Sequence, residues 1–210
     1  MNHIELLVSR YPQLQQCCES IEKAKDALIK TFQNDGTLLL CGNGGSCGDA
    51  EHILGELMKG FHKKRPLSDK QKKMLSQAGG ELGSRLAQTL QQPLRTISLM
   101  GMPALTTAFA NDANYEFACA QMTLAYVCKG STLFGISTSG NAKNVLAAAI
   151  VAKAAGACTV GLTGADGGEM NEMFDILIKV PESETFKIQE LHLPVYHAIC
   201  LEIEEFFFTE

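Results

Sequence analysis

Two short polar segments combine glycine with hydroxyl and amide side chains, a composition suited to binding an anion. They are GNGGS at 42–46 and STSGN at 137–141. Glycine lets backbone N–H groups approach a phosphate or sugar closely, and hydroxyl groups donate hydrogen bonds to anionic oxygens. Neither segment has the spacing of the nucleotide-binding motifs. We therefore predict a phosphate or sugar pocket; the alternatives are a plain tight turn at 42–46 and helix capping by Ser139 or Asn141.

A second group of polar side chains lies at helical spacing. His52 and Glu56 are four residues apart, so on a helix they share one face and could bind one metal ion or act on one substrate. A hydrogen-bonded surface pair is the alternative. In the last predicted helix, Gln189, His192 and His197 stand among apolar neighbours, where a histidine is also ordinary in a core or an interface.

Short apolar runs alternate with helical patterns along most of the chain. This alternation predicts an α/β fold, a three-layer sandwich whose five-stranded sheet is mainly parallel with helices on both faces. Both polar segments should then lie at the carboxyl ends of strands, where ligands of open α/β sheets bind. We predict strands at 37–41, 96–100, 131–137, 158–163 and 175–180, and helices at 46–61, 103–110, 117–127, 142–155 and the C-terminus.

Two regions stand outside this alternation within the single predicted domain, residues 1–210. Residues 1–35 predict a helical N-terminal arm with a break at Pro12, packed either on its own chain or against another subunit. Residues 62–94 predict an inserted surface excursion. Its run of basic residues between Lys63 and Lys73 favours a solvated face over a polyanion site.

Composition excludes several classes of protein. The chain has 210 residues and a formal charge of −5, which gives no electrostatic reason to expect nucleic acid. No apolar run is long enough to span a membrane, and the polar N-terminus does not have a signal-peptide pattern, so we expect a cytoplasmic protein. The 8 cysteines form no C-x-x-C pair, which predicts reduced thiols in the core.

Four motifs in order closely resemble the phosphoheptose isomerases, a family of sugar isomerase (SIS) domains with a flavodoxin-like sheet. They are CGNGGSCGDAEHILGEL at 41–57, ISTSGN at 136–141, LTGADGG at 162–168 and IQELHLPVYH at 188–197. The resemblance implies isomerisation of sedoheptulose 7-phosphate to D-glycero-D-manno-heptose 7-phosphate by proton transfer between C1 and C2. The alternatives are an isomerase of another sugar phosphate, or a non-catalytic SIS protein that binds a replication initiator or senses sugar phosphates.

The resemblance also implies roles for individual residues. Glu56 and His197 would be the acid–base pair, and one zinc ion per subunit would bind His52, Glu56, Gln189 and His197. Contacts to the substrate would come from Asn43, Gly44, Ser46, Asp112, Ser137, Thr138, Ser139 and Gln189. Serine and threonine among these would hold the phosphate, while Asn43 and Asp112 would meet sugar hydroxyls. The family further implies a homotetramer with sites at subunit interfaces.

Elementary chemistry leaves two of these assignments open. A carboxylate that coordinates zinc is less free to act as a base, so the two roles of Glu56 compete. On an unbroken helix, Gln189 and His197 would be separated by roughly 12 Å along the axis. A kink at Pro194 or a contribution from two subunits would bring them together, whereas Gln189 and His192 fit one ion better on local grounds.

Three positions depart from the family pattern. An arginine usual shortly after the catalytic glutamate is missing, since the chain reads Met58-Lys59-Gly60 there. Phe186 stands where an acidic residue is common, and Ala142 replaces the last serine of the STSGN segment. Lys59 would replace the arginine imperfectly because a point charge lacks the guanidinium fork.

Overall fold

The computed structural model describes residues 2–208, and its centre is a sheet of five parallel strands. The strand order β2-β1-β3-β4-β5 is the flavodoxin-like order and confirms the predicted fold class. The strands are β1 (Leu38–Gly42), β2 (Thr96–Ser98), β3 (Thr132–Ile136), β4 (Cys158–Thr163) and β5 (Ile176–Lys179).

Helices cover both faces of the sheet, as a parallel sheet requires. The α-helices within residues 2–208 are α1 (His3–Arg10), α2 (Cys18–Gln33), α3 (Gly45–Met58), α4 (Asp69–Thr89), α5 (Pro103–Phe109), α6 (Ala118–Tyr126), α7 (Lys143–Ala154), α8 (Met170–Met173) and α9 (Thr185–Phe207). Short 3₁₀ turns occupy Pro12–Cys17, Leu99–Gly101 and Tyr115–Phe117, and a π-helical turn occupies Ala110–Asn114.

The strand period of two divides the core into two layers. Leu38 and Leu40 of β1 face α1, α2, α3 and α9, whereas Leu39 and Cys41 face α6, α7 and α8. All four side chains are fully buried. The sheet is therefore covered on both faces, and the polar segments at 42–46 and 137–141 lie at the carboxyl ends of β1 and β3.

The N-terminal arm packs on its own chain. Pro12 separates α1 from α2 as predicted, and both helices pack against α9. Apolar side chains of the arm such as Leu7, Ile21 and Leu28 are almost completely buried within the chain. Much of the apolar face of the arm is therefore covered within the chain.

The excursion at 62–94 is more ordered and better anchored than predicted. One helix, α4, runs from Asp69 to Thr89. It kinks at Gly80, whose φ of 54° and ψ of −123° are not helical, so α4 has two arms. Arg65, expected on a solvated face, is 1% exposed. Its guanidinium group has a buried carboxylate partner, Glu204 of α9, which explains why this one basic residue leaves the surface.

No helix within residues 2–208 is both long enough and apolar enough to cross a membrane.

All eight cysteines are free thiols. Burial raises the pKa of Cys41 well above its ordinary value, and the pKa of the half-buried Cys47 is raised as well, so neither thiol beside the 42–46 segment is an activated thiolate.

Candidate functional site

The two polar segments meet where the strand order reverses. β1 and β3 are neighbours in the sheet, so residues 42–46 and 137–141 leave adjacent strand ends. The Asn43 side chain is joined to Asn144, in the first turn of α7 just after residues 137–141, by two hydrogen bonds, each Nδ2 donating to the other Oδ1 at 2.8 and 2.9 Å. We call these two segments together the loop end of the site.

The 137–141 segment is held rigidly from behind. Gly140 N–H donates to the Ser137 carbonyl at 3.1 Å. Gly140 has a φ of 69°, and a Cβ there would fall 2.0 Å from the Gly167 carbonyl oxygen, so only glycine fits. Asn141 Oδ1 accepts a hydrogen bond from Glu169 N at 2.9 Å. Residues 167–169 therefore pack behind the turn and hold it in place.

Helix capping does not account for the polar side chains of this segment. Ala142 is the N-cap residue of α7, and no side chain caps that helix. Ser139 Oγ accepts from Asn141 N at 3.3 Å within the turn. Ser137 and Ser46 are buried, whereas Ser139 is exposed and Thr138 is intermediate. The predicted capping roles of Ser139 and Asn141 are therefore wrong.

Gln189 also belongs to the loop end. Its side-chain amide packs so closely on the start of α3 that a Cβ on Gly45 would fall 2.3 Å from Gln189 Nε2. This contact places an amide donor and acceptor next to the GNGGS segment. The exposed Gly44, which precedes α3, adds backbone to the same surface.

The second part of the site lies further along α3 and α9, and we call it the histidine end: His52, Glu56 and His197. His52 Nε2 lies 3.2 Å from Glu56 Oε1 and 3.5 Å from His197 Nε2. The His52 and His197 rings meet edge to face with centroids 4.9 Å apart. The Glu56 side chain is only 12% exposed, and Lys59 Nζ lies 3.2 Å from its Oε2. Glu56 is thus paired on both carboxylate oxygens.

His197 is held neutral by its surroundings. Burial lowers its pKa, His52 lowers it further, and Glu56 opposes part of that change. The rings of Phe61 and Tyr196 pack around it at centroid distances of 5.3 and 5.1 Å. A neutral imidazole can both donate and accept a proton, as acid–base catalysis requires.

The two ends are separated because α3 and α9 run side by side in the same direction. Gln189 meets Gly45 near the start of both helices, and His197 meets His52 two turns later. Pro194 does not interrupt α9, which continues to Phe207. Gly45 and Glu56 are 11 residues apart (45 to 56), or about 16 Å along the axis. The structure therefore brings His52, Glu56 and His197 together but leaves Gln189 at the loop end.

The histidine end has donor atoms suited to zinc. Two ligand atoms at 2.0–2.1 Å from a tetrahedral zinc ion are about 3.3 Å apart. The separations of 3.2 Å between His52 and Glu56 and 3.5 Å between the two Nε2 atoms match that spacing. Within residues 2–208, however, no three His, Cys, Asp or Glu side chains already form a group arranged around one ion. The pairwise distances fit zinc, and a complete ligand set would need rearrangement or a further donor.

Two other sequence candidates lie apart from these groups. Asp112 is exposed in the π-helical turn after α5, and its Oδ1 accepts a hydrogen bond from Asn111 at 2.8 Å. His192 is completely buried, and burial lowers its pKa to about 4. A neutral, enclosed His192 is a core residue of α9.

Sequence reasoning missed the residues that support the histidine end. Tyr196 OH lies 3.0 Å from His52 Nδ1, and Asp49 lies beside that hydroxyl. The only sequence signal was the position of Asp49, three residues before His52 on the same helix face. Tyr196 had no such signal because its partner is 144 residues away.

A buried ion pair fixes the far end of α3. Arg65 Nε donates to Glu204 Oε1 at 2.8 Å, and its other nitrogens donate to the Leu57 and Glu56 carbonyls at 2.8 and 3.0 Å. Glu204 also accepts backbone N–H bonds from residues 61–63. Helix-end carbonyls have no partner within their own helix. Arg65 therefore helps to cap the helix that carries Glu56, alongside Leu94 N, which donates to the Leu57 carbonyl at 3.0 Å, and it fastens this helix to α9.

The position of the missing family arginine has no room for a side chain. A Cβ on Gly60 would fall 2.3 Å from the Lys63 carbonyl oxygen. The adjacent Lys59 supplies the cation that reaches Glu56. Phe186 is exposed at the start of α9, with Lys187 over its ring, so this departure lies on the surface.

Comparison with known proteins gives one consistent family. Residues 8–86 and 104–201 each match a family model described as a SIS domain. The phosphoheptose isomerase of Aliarcobacter butzleri is 37% identical over 182 residues, 87% of this chain and 82% of that protein. The Helicobacter pylori phosphoheptose isomerase is 36% identical over 205 residues, 98% of this chain and 92% of that protein. A solved phosphoheptose isomerase from Francisella tularensis superposes with a TM-score of 0.73 and 26% identity, covering 98% of this chain and all (100%) of the other.

Proposed function

The chain belongs to the phosphoheptose isomerase family, and on that premise we propose that it converts sedoheptulose 7-phosphate to D-glycero-D-manno-heptose 7-phosphate. One observation carries the proposal: a carboxylate and a neutral histidine, Glu56 and His197, share contacts with His52 at 3.2 and 3.5 Å. An aldose–ketose shift needs such a pair, one group to take a proton from carbon and another to move a proton on oxygen.

The reaction has two steps, each with two proton transfers. Glu56 removes a proton from C1 of the open-chain ketose while His197 donates its ring proton to the carbonyl oxygen on C2, giving an enediol. Glu56 then returns the proton to C2, and His197 recovers a proton from the oxygen on C1, which becomes the aldehyde. Atoms and charges balance, and both residues end in their starting states. Lys59 Nζ, 3.2 Å from Glu56 Oε2, places a cation beside the carboxylate that takes the proton.

The loop end serves the other end of the substrate. Ser137, Thr138, Ser139 and Ser46 supply hydroxyl donors for the phosphate on C7, and the uncapped start of α7 adds a favourable dipole. Gln189 and Asn43 stand beside this surface for the sugar hydroxyls. In this proposal Asp112 reaches a hydroxyl from its exposed turn.

Zinc is part of the proposal. His52, Glu56 and His197 would hold the ion, and Gln189 would complete the set from another copy of the chain, since within one chain it stands at the loop end. Bound there, zinc would polarise the substrate carbonyl. About one zinc per chain is expected in protein purified without chelator, measured by elemental analysis. Metal-free protein with full activity would remove zinc from the proposal and leave the acid–base pair.

We also propose a homotetramer whose sites draw residues from two subunits. The distance of about 16 Å between the two ends within one chain supports this arrangement. Exposed apolar side chains support it too, because contiguous apolar surface commonly marks an interface. Met74 and Leu90 line a cleft of about 760 Å³ beside α4. Other exposed apolar side chains are Leu82 and Leu86 on α4, Leu124 on α6 and Ile150 on α7.

Mixing two impaired variants, assayed at substrate concentrations far below KM where both show little activity, tests the shared site. Glu56→Gln removes the histidine end and Ser137→Ala with Thr138→Ala removes the loop end. If each site takes its two ends from different subunits, reassembling the variants together should restore about a quarter of the sites. If each chain carries a whole site, the mixture stays as inactive as its parts, which contradicts the sharing.

Solvent-deuterium incorporation tests the reaction itself. Pure protein would be incubated in deuterium oxide with a panel of ketose phosphates, and label at C1 and C2 would be followed by NMR. We expect exchange and interconversion with sedoheptulose 7-phosphate. If only a different sugar phosphate showed exchange, that compound would replace sedoheptulose 7-phosphate as the proposed substrate. Binding without exchange, with or without zinc, would favour the non-catalytic sugar-phosphate protein instead.

A further inference from the structure

Asn144, the second residue of α7, is the side chain that holds Asn43 at the loop end. Asn43 Nδ2 donates to Asn144 Oδ1 at 2.8 Å, and Asn144 Nδ2 donates to Asn43 Oδ1 at 2.9 Å. The two residues are 101 positions apart, so no local pattern joins them. Two hydrogen bonds between planar amides fix the plane of each group as well as its position.

A buried thiol anchors Asn144 from behind. Asn144 Nδ2 also donates to the sulfur of Cys119 at 3.4 Å, and Cys119, near the start of α6, is 2% exposed. Burial raises the pKa of Cys119, and Asn144 opposes part of that rise, so the thiol keeps its proton at neutral pH. Cys119 Sγ donates this proton to Met100 Sδ at 3.6 Å. A thioether can only accept, so the Cys119 lone pairs are left to face the Asn144 amide.

These contacts link the ends of three neighbouring strands. Met100 follows β2, Asn43 follows β1, and Asn144 lies in the helix after β3, while the sheet order is β2-β1-β3. The line of hydrogen bonds therefore crosses the carboxyl ends of the strands, where open α/β sheets bind ligands. It ends at Asn43, which is exposed. Within residues 2–208 the Asn43 amide bonds only to Asn144, which leaves one N–H and one oxygen lone pair for a ligand.

We propose that Asn144, anchored by Cys119, is a positioning residue that holds the Asn43 amide ready to bind hydroxyl groups of the sugar. A hydroxyl both donates and accepts, so it matches the free N–H and the free lone pair of Asn43, whereas a phosphate would use the N–H alone. Because the amide is already fixed, substrate binding does not have to order this side chain. The inference rests on the proposed function for the identity of the sugar phosphate.

Kinetics with two ligands separate this role from general support of the loop end. Asn144→Ala should raise KM for sedoheptulose 7-phosphate by about 10-fold and leave kcat within about threefold, because the histidine end is untouched. Inorganic phosphate, a competing ligand without hydroxyl-bearing carbons, should keep its inhibition constant within about twofold. Gln33→Ala, which removes an exposed amide at the end of α2, is the control and should change neither value. Equal weakening of both ligands would overturn the proposal.

A double variant shows whether Asn144 acts through Asn43. Asn43→Ala should raise KM at least as much as Asn144→Ala, and the double variant should match Asn43→Ala alone. Losses that multiply would mean that Asn144 acts independently, which contradicts the proposal. Cys119→Ala removes the anchor but leaves the amide pair, and it should raise KM by about threefold. If Asn144→Ala fails to fold, the effect of Cys119→Ala still decides, and an unchanged KM there would count against the anchor.

Side-chain NMR tests the positioning without ligand or turnover. In full-length protein labelled with ¹⁵N-asparagine, relaxation of the Asn43 amide group should give an order parameter near the rigid value of about 0.85. In Asn144→Ala it should fall below about 0.6, and in Gln33→Ala it should not change. An equally rigid Asn43 amide in Asn144→Ala would overturn the proposal. A rigid amide that depends on Asn144, in a protein that turns over no sugar phosphate, would count against the proposed function alone.

Discussion

The loop end and the histidine end are built from different kinds of interaction. The loop end consists of two segments, each contiguous in sequence, held by backbone turns and by the Asn43–Asn144 pair. The histidine end depends on side chains from α3 and α9, which are 145 residues apart in the case of His52 and His197. In the proposed reaction, binding would therefore depend on local backbone geometry, whereas proton transfer would depend on the alignment of two long helices.

This difference predicts that damage at one end should leave the other working. Substitutions at the histidine end should lower kcat, and substitutions at the loop end should raise KM. Substitutions of Arg65 or Glu204, which join α3 to α9, should mainly lower the free energy of unfolding.

The largest expected effect comes from the proton-transfer pair. Glu56→Gln and His197→Asn should each lower kcat by about 10²–10⁴-fold, because they keep hydrogen-bonding capacity but remove the group that takes up and releases a proton. KM should change by only a few-fold because the loop end is intact. Glu190→Gln, an exposed position on α9, is the matched control. Deuterium exchange into sedoheptulose 7-phosphate is the measurement, and an effect confined to KM would break the division between the two ends.

The next effect concerns the ion pair that joins the helices. Arg65→Met leaves Glu204 as a buried carboxylate without its cation, which should lower the free energy of unfolding by about 3–5 kcal/mol. Arg85→Met, at an exposed position on α4, should cost less than about 0.5 kcal/mol. Urea unfolding at neutral pH measures both. Equal, small losses in the two variants would show that the pair does not hold α3 to α9.

The same difference explains what could be predicted from sequence. The five strands, their parallel order and the two loops followed from short apolar runs and from glycine and serine within a few residues of one another. His52 and Glu56 followed from one helical turn. Arg65 looked like one basic residue among lysines, and its partner Glu204 lies 139 residues away, so nothing local marked it as buried.

The histidine end could be predicted only in part for the same reason. His197 was assigned through family resemblance, not through any local pattern. Asp49 and Tyr196 escaped notice because an aspartate in a helix and a tyrosine among apolar residues are both ordinary. Their relation appears only once α3 and α9 lie side by side.

The loop end should show the complementary behaviour with a smaller effect. Ser137→Ala and Thr138→Ala should each weaken binding by about 1.5–3 kcal/mol, the worth of a hydrogen bond to a charged group, and leave kcat nearly unchanged. Ser76→Ala on α4 is the control. The readout is the apparent KM beside an intact thermal melt. An unchanged KM in the double variant would remove this segment from the phosphate site.

The smallest expected effect is a pH dependence of stability, and it concerns Glu204, the carboxylate that pairs with Arg65 between α3 and α9. Burial alone would raise the pKa of Glu204, but N–H bonds from residues 61–63 and the Arg65 side chain outweigh it and hold the pKa below its ordinary value of 4.5. A carboxyl whose folded-state pKa is lowered adds stability above its unfolded-state pKa. That contribution is lost as pH falls through the lowered value.

Glu204→Gln should therefore be less stable than the unaltered protein at neutral pH, and the gap should narrow below about pH 4.5 as Glu204 takes up its proton. The change should be smaller than that of Arg65→Met, because protonation removes the charge but keeps a hydrogen-bonding side chain. Urea unfolding across a pH series measures this difference in stability, and the contributions of all other carboxyls cancel because both proteins share them.

Amide exchange at Phe61, His62 and Lys63 should quicken in acid before that of the 137–141 segment. A gap that stays constant with pH, or simultaneous loosening of both ends, would show that the two ends do not depend on separate supports.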